Sequence, residues 1–323
     1  MGVTANTNET YDVTTIREDI QDALASITPT ETIFMSTIGT RNVDNTFFEW
    51  AEVDLAAAST SNRVIEGEAA PGNDAGTNAV RKGNYTQISD KVVEVSATAE
   101  AVNGVGDAQT VAEQVAYKLK ELKRDMEAML LANVAGSAGA SGTARQTAGL
   151  PAFLTTNVSR GTGGANGTTS GTGSAGFPNA AATDASAGNM RAVTEALLKS
   201  VIKDCWDSGA EPSVVLCGSA QKQTISAFTG NATRYKEAED AKLMAAIDVY
   251  VSDFGEVQIV PARHVRSRDV FVLDPNYASV AYLQTAKQEP LAKTGHSERR
   301  LISVEYGLQV TSEKAHGVVA DIS

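Results

Sequence analysis

The sequence predicts an α+β fold, and three observations carry that expectation. The first is one long apolar stripe. Val111, Val115, Leu119, Leu122, Met126, Leu130 and Val134 step by four, four, three, four, four and four residues, the period of a helix and not of a strand. The second is a pair of strand-like runs, 45–56 and 84–102, whose side chains alternate between two faces. The third is a change of texture: helix- and strand-period segments mix between residues 189 and 285, and strands return from 286 to 323. A chain of 323 residues that is 42% apolar has enough material for a real core.

At the N-terminus, "TTIREDIQDALAS" (14–26) reads as a short amphipathic helix with Ile16, Ile20, Leu24 and Ile27 on one side. Thr15 and Glu18 have the spacing of a capping box, Pro29 breaks the helix, and Gly39 marks a turn. The run "NTFFEWAEVDLAAA" (45–58) then places three aromatic side chains in four positions. As a strand it shows Phe47, Glu49, Ala51 and Val53 on one face, and Phe48, Trp50 and Glu52 on the other. In the second run Ile88, Asp90, Val92 and Glu94 share one face, and Val93, Val95 and Ala97 share the opposite one. Between the runs, "STSNRVIEGEAAPGNDAGTNAVRKG" is Gly-rich, charged and aperiodic. The simplest reading pairs the two runs as one long β-hairpin with a mobile end. An isolated hairpin is marginal in water. Trp50 therefore needs packing partners that its own stretch of sequence does not offer.

Gly104-Val105-Gly106-Asp107 opens the long helix, which at about 28 residues would be a rod ~40 Å in length. Two low-complexity stretches follow, "GSAGASGTA" and "SRGTGGANGTTSGTGSAGFPNAAATDASAG". "RQTAGLPAFLTTN" between them reads as a short strand with turns, and 157–188 as a flexible loop or insertion. Residues 189–207 form an amphipathic helix along Met190, Val193, Leu197, Val201 and Cys205. "SVVLC" (213–217) is a buried strand, Gly218-Ser219 starts a helix to about Phe228, and 235–246 is helical. "DVYVSD", "EVQIVPA", "DVFVLD" and "YASVAYLQ" are strands, and "RRLISVEYGLQVTSEKAHGVVADI" is a long strand, a turn and a final strand.

Several function classes are disfavoured. A formal net charge of −12 repels nucleic-acid phosphates. Cys205, Cys217, His264, His296 and His316 have no zinc-ligand spacing, and no cofactor is expected. No apolar run approaches the roughly 20 residues of a membrane span, and "MGVTANTNETYDVTT" lacks the apolar core of a signal peptide. "GTGSAG" (Gly171 to Gly176) matches G-x-G-x-x-G, but its flanks are low-complexity where a strand and a helix are required. Glu66 with Glu68, and Asp253 with Glu256, read as solvated surface carboxylates. The patch "ARHVRSR", with Arg263, Arg266 and Arg268 around His264, reads as an ion-pairing edge or as an intersubunit contact. No catalytic site assembles from these residues, so the chain is expected not to be an enzyme.

Arm, hairpin, rod-like helix, mixed region and returning strands come in the order of the major capsid proteins of tailed bacteriophages, the Hong Kong ninety-seven fold. "REDIQDALASITPTETIFMSTIG", "FFEWAEVDLAAA", "NRVIEGEAA", "NYTQISDKVVEVSATAEAV", "ELKRDMEAMLLAN", "TAGLPAFLTTN" and "LAKTGHSERRLISVEYGLQVTSEKAHGVVADI" also resemble one phage major head protein family in wording. They run in order from Arg17 to Ile322. The resemblance implies an N-terminal arm (1–44), an extended loop (45–102), a peripheral domain with the spine helix (103–156), the Gly/Ser-rich loop or insertion (157–188), an axial domain (189–285) and peripheral C-terminal strands (286–323).

What the resemblance implies about function is structural. Copies of the chain would self-assemble as pentamers and hexamers of an icosahedral head that encloses double-stranded DNA without binding it specifically. Scaffold, portal and decoration proteins would be further partners. The protein would reside in the virion capsid after assembly in the bacterial host cytoplasm, with no membrane partner. Candidate intersubunit contacts are Phe48, Trp50, Glu66, Arg81, Tyr85, Arg263 and Arg266. Lys82 and Lys91 match no crosslinking motif of the fold, so contacts are expected to be non-covalent. The recognisable arm begins within the first twenty residues, which leaves no room for a fused scaffolding segment and implies a separate scaffold or none. The alternatives are an encapsulin-like cellular nanocompartment shell and a soluble α/β nucleotide-binding enzyme using Gly171 to Gly176.

Overall fold

A computed structural model describes residues 31–67, 69, 76–102, 110–170, 176–228 and 249–323. The helices expected at 14–26 and 235–246, the Gly104 to Asp107 helix start and Glu68 lie outside the described residues. In chain order the elements begin with α1 (Ile33–Thr37), β1 (Gly39–Asn42), β2 (Phe47–Glu52), β3 (Val80–Tyr85), β4 (Gln87–Ser96), α2 (Ala97–Ala101) and α3 (Val111–Leu130). Next come α4 (Leu150–Phe153), β5 (Val158–Ser159), β6 (Thr168–Ser170), β7 (Phe177–Ala180), α5 (Glu195–Asp207), β8 (Val214–Cys217) and α6 (Ser219–Ser226). The chain finishes with β9 (Val249–Ser252), β10 (Gly255–Pro261), β11 (Asp269–Leu273), β12 (Ala278–Pro290), β13 (Ser297–Val310) and β14 (Gly317–Ala320).

Two sheets organise the molecule. A four-stranded sheet has the order β1-β12-β13-β4, and a six-stranded sheet has the order β5-β14-β11-β8-β10-β9. The strands β2-β3 and β6-β7 form separate two-stranded pairs. β8 and β11 are buried at every position; β8 is wholly apolar, and β11 is apolar after the buried Asp269 at its start. One face of the six-stranded sheet packs Val215, Ile259, Val270 and Val319 against Leu198, Val201, Ile202 and Cys205 of α5. Its other face sends Leu216, Phe271 and Val318 into the core shared with the four-stranded sheet and α3.

α3 follows the predicted stripe but is shorter than expected. It has 20 residues, about 30 Å at the α-helical rise. The Thr110 side chain caps it, accepting from the Glu113 N–H at 3.3 Å. Val111, Val115, Leu122, Met126 and Leu130 are buried, in one core with Val93, Val95, Ile302, Val304 and Tyr306. Val134 is not helical, because its carbonyl accepts the Gly149 N–H at 3.1 Å. A Cβ on Gly149 would run into the Ala132 carbonyl oxygen, so only glycine allows this approach.

Four sequence expectations are corrected. The strand partner of β2 is β3, in the register Phe47↔Tyr85 to Glu52↔Val80. β4 pairs instead with β13, from Ser297↔Ser96 to Tyr306↔Gln87. Its alternation explains why: Val93 and Val95 need a covered face, and α3 supplies it. The strand expected within 145–157 is the buried helix α4, with Pro151 near its start, where the missing N–H costs nothing. The described part of 157–188 is not a free loop: β5 pairs with β14, and the Asn133 side chain brackets Ala182, donating to its carbonyl at 2.6 Å and accepting from its N–H at 2.9 Å. Finally, Ala278 to Gln284 belong to the four-stranded sheet and β14 to the six-stranded one, which cuts across the boundaries expected at 285 and 286.

Candidate assembly surface

The root of the expected loop is built into its own chain. Phe48 is 5% and Trp50 8% exposed, so neither is left for a neighbouring copy. Trp50 donates its Nε1–H to the Thr311 carbonyl at 3.2 Å, and its ring lies 6.3 Å from that of Phe153 and 6.0 Å from that of Phe48. Phe48 fits against Gly307, where a Cβ would come within 2.7 Å of its ring. Tyr85 is half-buried, with its ring 4.7 Å from Phe47 and 5.0 Å edge-on from Phe177. The core that the sequence around Trp50 lacked comes from residues about 100 and 260 positions away, α4 and the end of β13.

Buried polar groups lock this root. Asn84, fully buried, donates to Thr147 Oγ1 at 3.0 Å and to the Leu308 carbonyl at 2.8 Å. Its Oδ1 accepts the N–H groups of Tyr85 at 2.8 Å and Ala148 at 3.0 Å. Two residues on, Thr86 Oγ1 donates to Glu305 at 2.7 Å, and Arg145 pairs with Glu305 while donating to the Thr86 carbonyl at 2.8 Å. Ion pairs flank the strands: Arg81 with Glu49, Lys82 with Glu52, and Lys314 with Asp54 at 2.6 Å. The hydrogen bond from Lys314 holds the exposed Asp54 carboxyl below its usual range. The more exposed of these, Arg81–Glu49 and Lys314–Asp54, contribute little stability.

Beyond the root, the described residues of the loop are exposed and gather no core. Leu55 is 83%, Ile65 75% and Val64 70% exposed. Val53 and Val80, at the edges of the two strands, are also exposed, as are Ile88 and Val92 on the open face of β4. Apolar side chains gathered on a projecting segment mark a surface that another molecule covers. Glu66 and Arg81 are exposed beside them.

The basic patch divides. Arg263 is exposed. Arg266 is committed to Asp184 and, at 3.0 Å, to Asp269, and Arg268 lies 3.3 Å from Asp184 and 3.5 Å from Asp321. For these two arginines the ion-pairing reading applies, because strands fold carboxylates onto them that the linear sequence kept far apart. Burial, with Arg124 and Arg263 nearby, pushes His264 down.

Features that would serve chemistry are otherwise engaged. Of the G-x-G-x-x-G match, residues 171–175 lie outside the described residues; the element that follows Gly176 is the strand β7, paired antiparallel with β6, where a dinucleotide site requires a helix. Gly176 instead bonds the hairpin: its carbonyl accepts the Gly83 N–H at 2.8 Å and its N–H donates to the Arg81 carbonyl at 3.1 Å. Cys205 and Cys217 are buried, and burial pushes their thiols up to about 12 and about 11, far from nucleophilic. Glu127, which the helical period places off the apolar stripe, is nevertheless buried: it accepts the N–H groups of Phe34 at 2.7 Å and Met35 at 2.9 Å and so ties α1 to α3. Burial raises its carboxyl and these bonds oppose the rise.

His316 gives a pH prediction. It is fully buried in the turn before β14, accepts the Asp274 N–H at 3.4 Å, and is pushed down to about 4 by burial. Its folded value lies below the ordinary 6.5. Stability is therefore complete above about pH 6.5 and is lost as pH falls toward 4, by up to about 3 kcal/mol. Urea midpoints at pH 7.5 and 4.5 are expected to differ less in His316→Gln than in the parent chain. An equal difference would exclude His316 as the source.

With this geometry in place, comparison with known proteins gives a consistent result. A curated major capsid protein of Escherichia phage Phieco32 is 34% identical over 112 residues, 35% of this chain and about a third (32%) of that relative's length. The capsid asymmetric unit of Cyanophage A-1(L) matches with a TM-score of 0.65 at 13% identity, covering 97% of this chain and 98% of that one. The capsid structure of Cyanophage P-SCSP1u matches with a TM-score of 0.64 at 13% identity, covering 99% and 96%. The SrpI encapsulin from Synechococcus elongatus PCC 7942 matches with a TM-score of 0.57 at 13% identity, covering 95% and 92%. These likenesses establish a Hong Kong ninety-seven-type α+β fold. The family described as SU10 major capsid protein matches residues 3–323, and the chain belongs to that family.

Proposed function

We propose that this protein is the structural subunit of a tailed-phage head, and that its work is self-assembly. The observation that carries this reading is the loop: its root is locked into the subunit while Leu55, Val64 and Ile65 stand exposed beyond it. A neighbouring subunit that covered them would gain about 1.5–3 kcal/mol for each side chain fully buried. Copies form pentamers and hexamers of an icosahedral shell around double-stranded DNA, and the net charge of −12 keeps the wall from gripping the DNA. Scaffold, portal and decoration proteins act on this shell during assembly in the host cytoplasm. Glu66, Arg81 and Arg263 are exposed and suit intersubunit contacts, whereas Phe48, Trp50, Tyr85 and Arg266 support the subunit from within. In regional terms, 53–79 is the extended loop, α3 the spine helix, the four-stranded sheet the peripheral domain and the six-stranded sheet the axial one.

The test is electron microscopy of the expressed protein together with a triple variant, Leu55→Ser, Val64→Ser and Ile65→Ser. The parent chain is expected to form uniform shells. The variant is expected to keep its urea midpoint, because exposed substitutions shift stability by only about 0.5 kcal/mol each, and to form none. Shells from the variant would exclude the loop as an interface. The encapsulin likeness makes contents the discriminator between shells: DNA supports a phage head, and a protein cargo supports a nanocompartment. Denaturing electrophoresis of particles should show one band near 33.7 kDa, and a ladder would reveal covalent crosslinks.

A further inference from the structure

Seven charged side chains meet where the stretches 160–165 and 183–191, joined to each other at Ala165 and Thr183, lie against the six-stranded sheet. Arg160, Asp184 and Arg191 come from those stretches, Arg266 and Arg268 from the turn before β11, Asp269 from its first position, and Asp321 from just beyond β14. The three carboxylates are served unequally. Asp321, fully buried, accepts the N–H groups of Gly161 at 3.2 Å and Ala185 at 2.8 Å and lies near Arg268. These bonds hold it at φ 58°, a left-handed conformation unusual outside glycine. Asp184 pairs with both Arg266 and Arg268.

Asp269 has less. It is 1% exposed, and neither oxygen accepts an aligned hydrogen bond. Its ion-pair partner is Arg266, which it shares with Asp184. Burial pushes its carboxyl up to about 6; Arg266 opposes this, Asp184 adds to it, Arg160 opposes it and Asp321 adds to it. Two of these four groups, Asp184 and Arg160, belong to the docked stretches, and the other two to the sheet and its adjoining turn.

We propose that this cluster is a proton-operated clamp, in which one proton taken up by Asp269 tightens the 160–165 and 183–191 stretches on the six-stranded sheet. When those stretches lift, Asp269 regains water and loses both Asp184, which raises its carboxyl, and Arg160, which opposes that more weakly, so the carboxyl returns toward the ordinary range. The docked state thus holds the proton at a higher pH than the lifted state. By linkage the proton favours docking: the advantage is complete below about pH 4 and is lost as pH rises through about 6.

Hydrogen exchange of the full chain, read by mass spectrometry on peptides from 160–165 and 183–191, tests this. After correction for the intrinsic pH dependence of exchange, opening of these peptides is expected to be about tenfold rarer at pH 5.0 than at pH 7.5, with α3 peptides as the internal reference. Asp269→Asn, a neutral isostere, is expected to be as protected at pH 7.5 as the parent is at pH 5.0, with the pH dependence gone. Equal parental protection at both pH values overturns the clamp, and so does a variant less protected than the parent at pH 7.5. If the variant does not fold, the parental profile alone decides.

Discussion

Trp50→Ala is expected to lower the stability of the isolated subunit by about 3–5 kcal/mol, the cost of truncating a fully enclosed aromatic side chain. The ring is enclosed by Phe48, Phe153 and the backbone at Thr311, all in the same chain. Truncation leaves a cavity between the hairpin root and the end of β13, and the Thr311 carbonyl loses its Nε1–H donor. The measurement is chemical denaturation of unassembled protein, followed through the fluorescence of Trp206, the other tryptophan. A parental midpoint combined with failed assembly would restore the reading of Trp50 as an interface anchor. Trp50→Phe keeps most of the volume and loses the donor, so it should cost about 1–2 kcal/mol, near the net worth of one buried hydrogen bond.

Asn84→Ala is expected to cost about 3–5 kcal/mol for a different reason. One amide serves Thr147, Leu308, Ala148 and Tyr85 at once, in a site without exposure. Removing it strands several buried polar groups, each costing about 1–3 kcal/mol, less whatever entering water recovers. Asn84→Asp separates shape from chemistry: it keeps the size but loses the donors to Thr147 and Leu308 and buries a charge. It should be at least as damaging at pH 7.5 and should recover stability as the solution is acidified. An alanine variant within about 0.5 kcal/mol of the parent would show that water replaces the amide fully. Proteolysis within the loop should then be unchanged as well.

Much of the fold was legible where local pattern decides it. The α3 stripe, the two faces of 47–52, the buried "VVLC" strand and the β9–β10 turn follow from periodicity alone. What local pattern does not specify is partnership. The alternation in 45–56 announces a strand, but it is equally compatible with residues 80–85 and 87–96, and burial of Val93 and Val95 under α3 decides between them. The Gly/Ser-rich stretch was illegible because its ties run through the main chain. The Gly161 and Ala185 N–H groups and both polar groups of Gly176 make contacts that side-chain identity does not announce, and the partners of the Asp184, Arg191 and Phe177 side chains lie far along the chain. Trp50 looked stranded because its partners lie in α4 and after β13, whereas the exposed Leu55, Val64 and Ile65 carry no period and drew no notice.

One residue, Thr86, separates β3 from β4, so the returning arm of the loop continues almost directly into a ten-residue strand of the four-stranded sheet. The consequence is mechanical. Tension applied to the loop enters β4 along its axis, and the β4–β13 ladder from Gln87 to Ser96 bears it in shear. Bonds loaded in shear share the force and must fail together, whereas a hairpin peeled from its tip gives way one pair at a time. A load carried by the loop is thereby spread over the sheet that α3 braces from behind, and the root behaves as a tensile splice between the projecting segment and the body of the molecule.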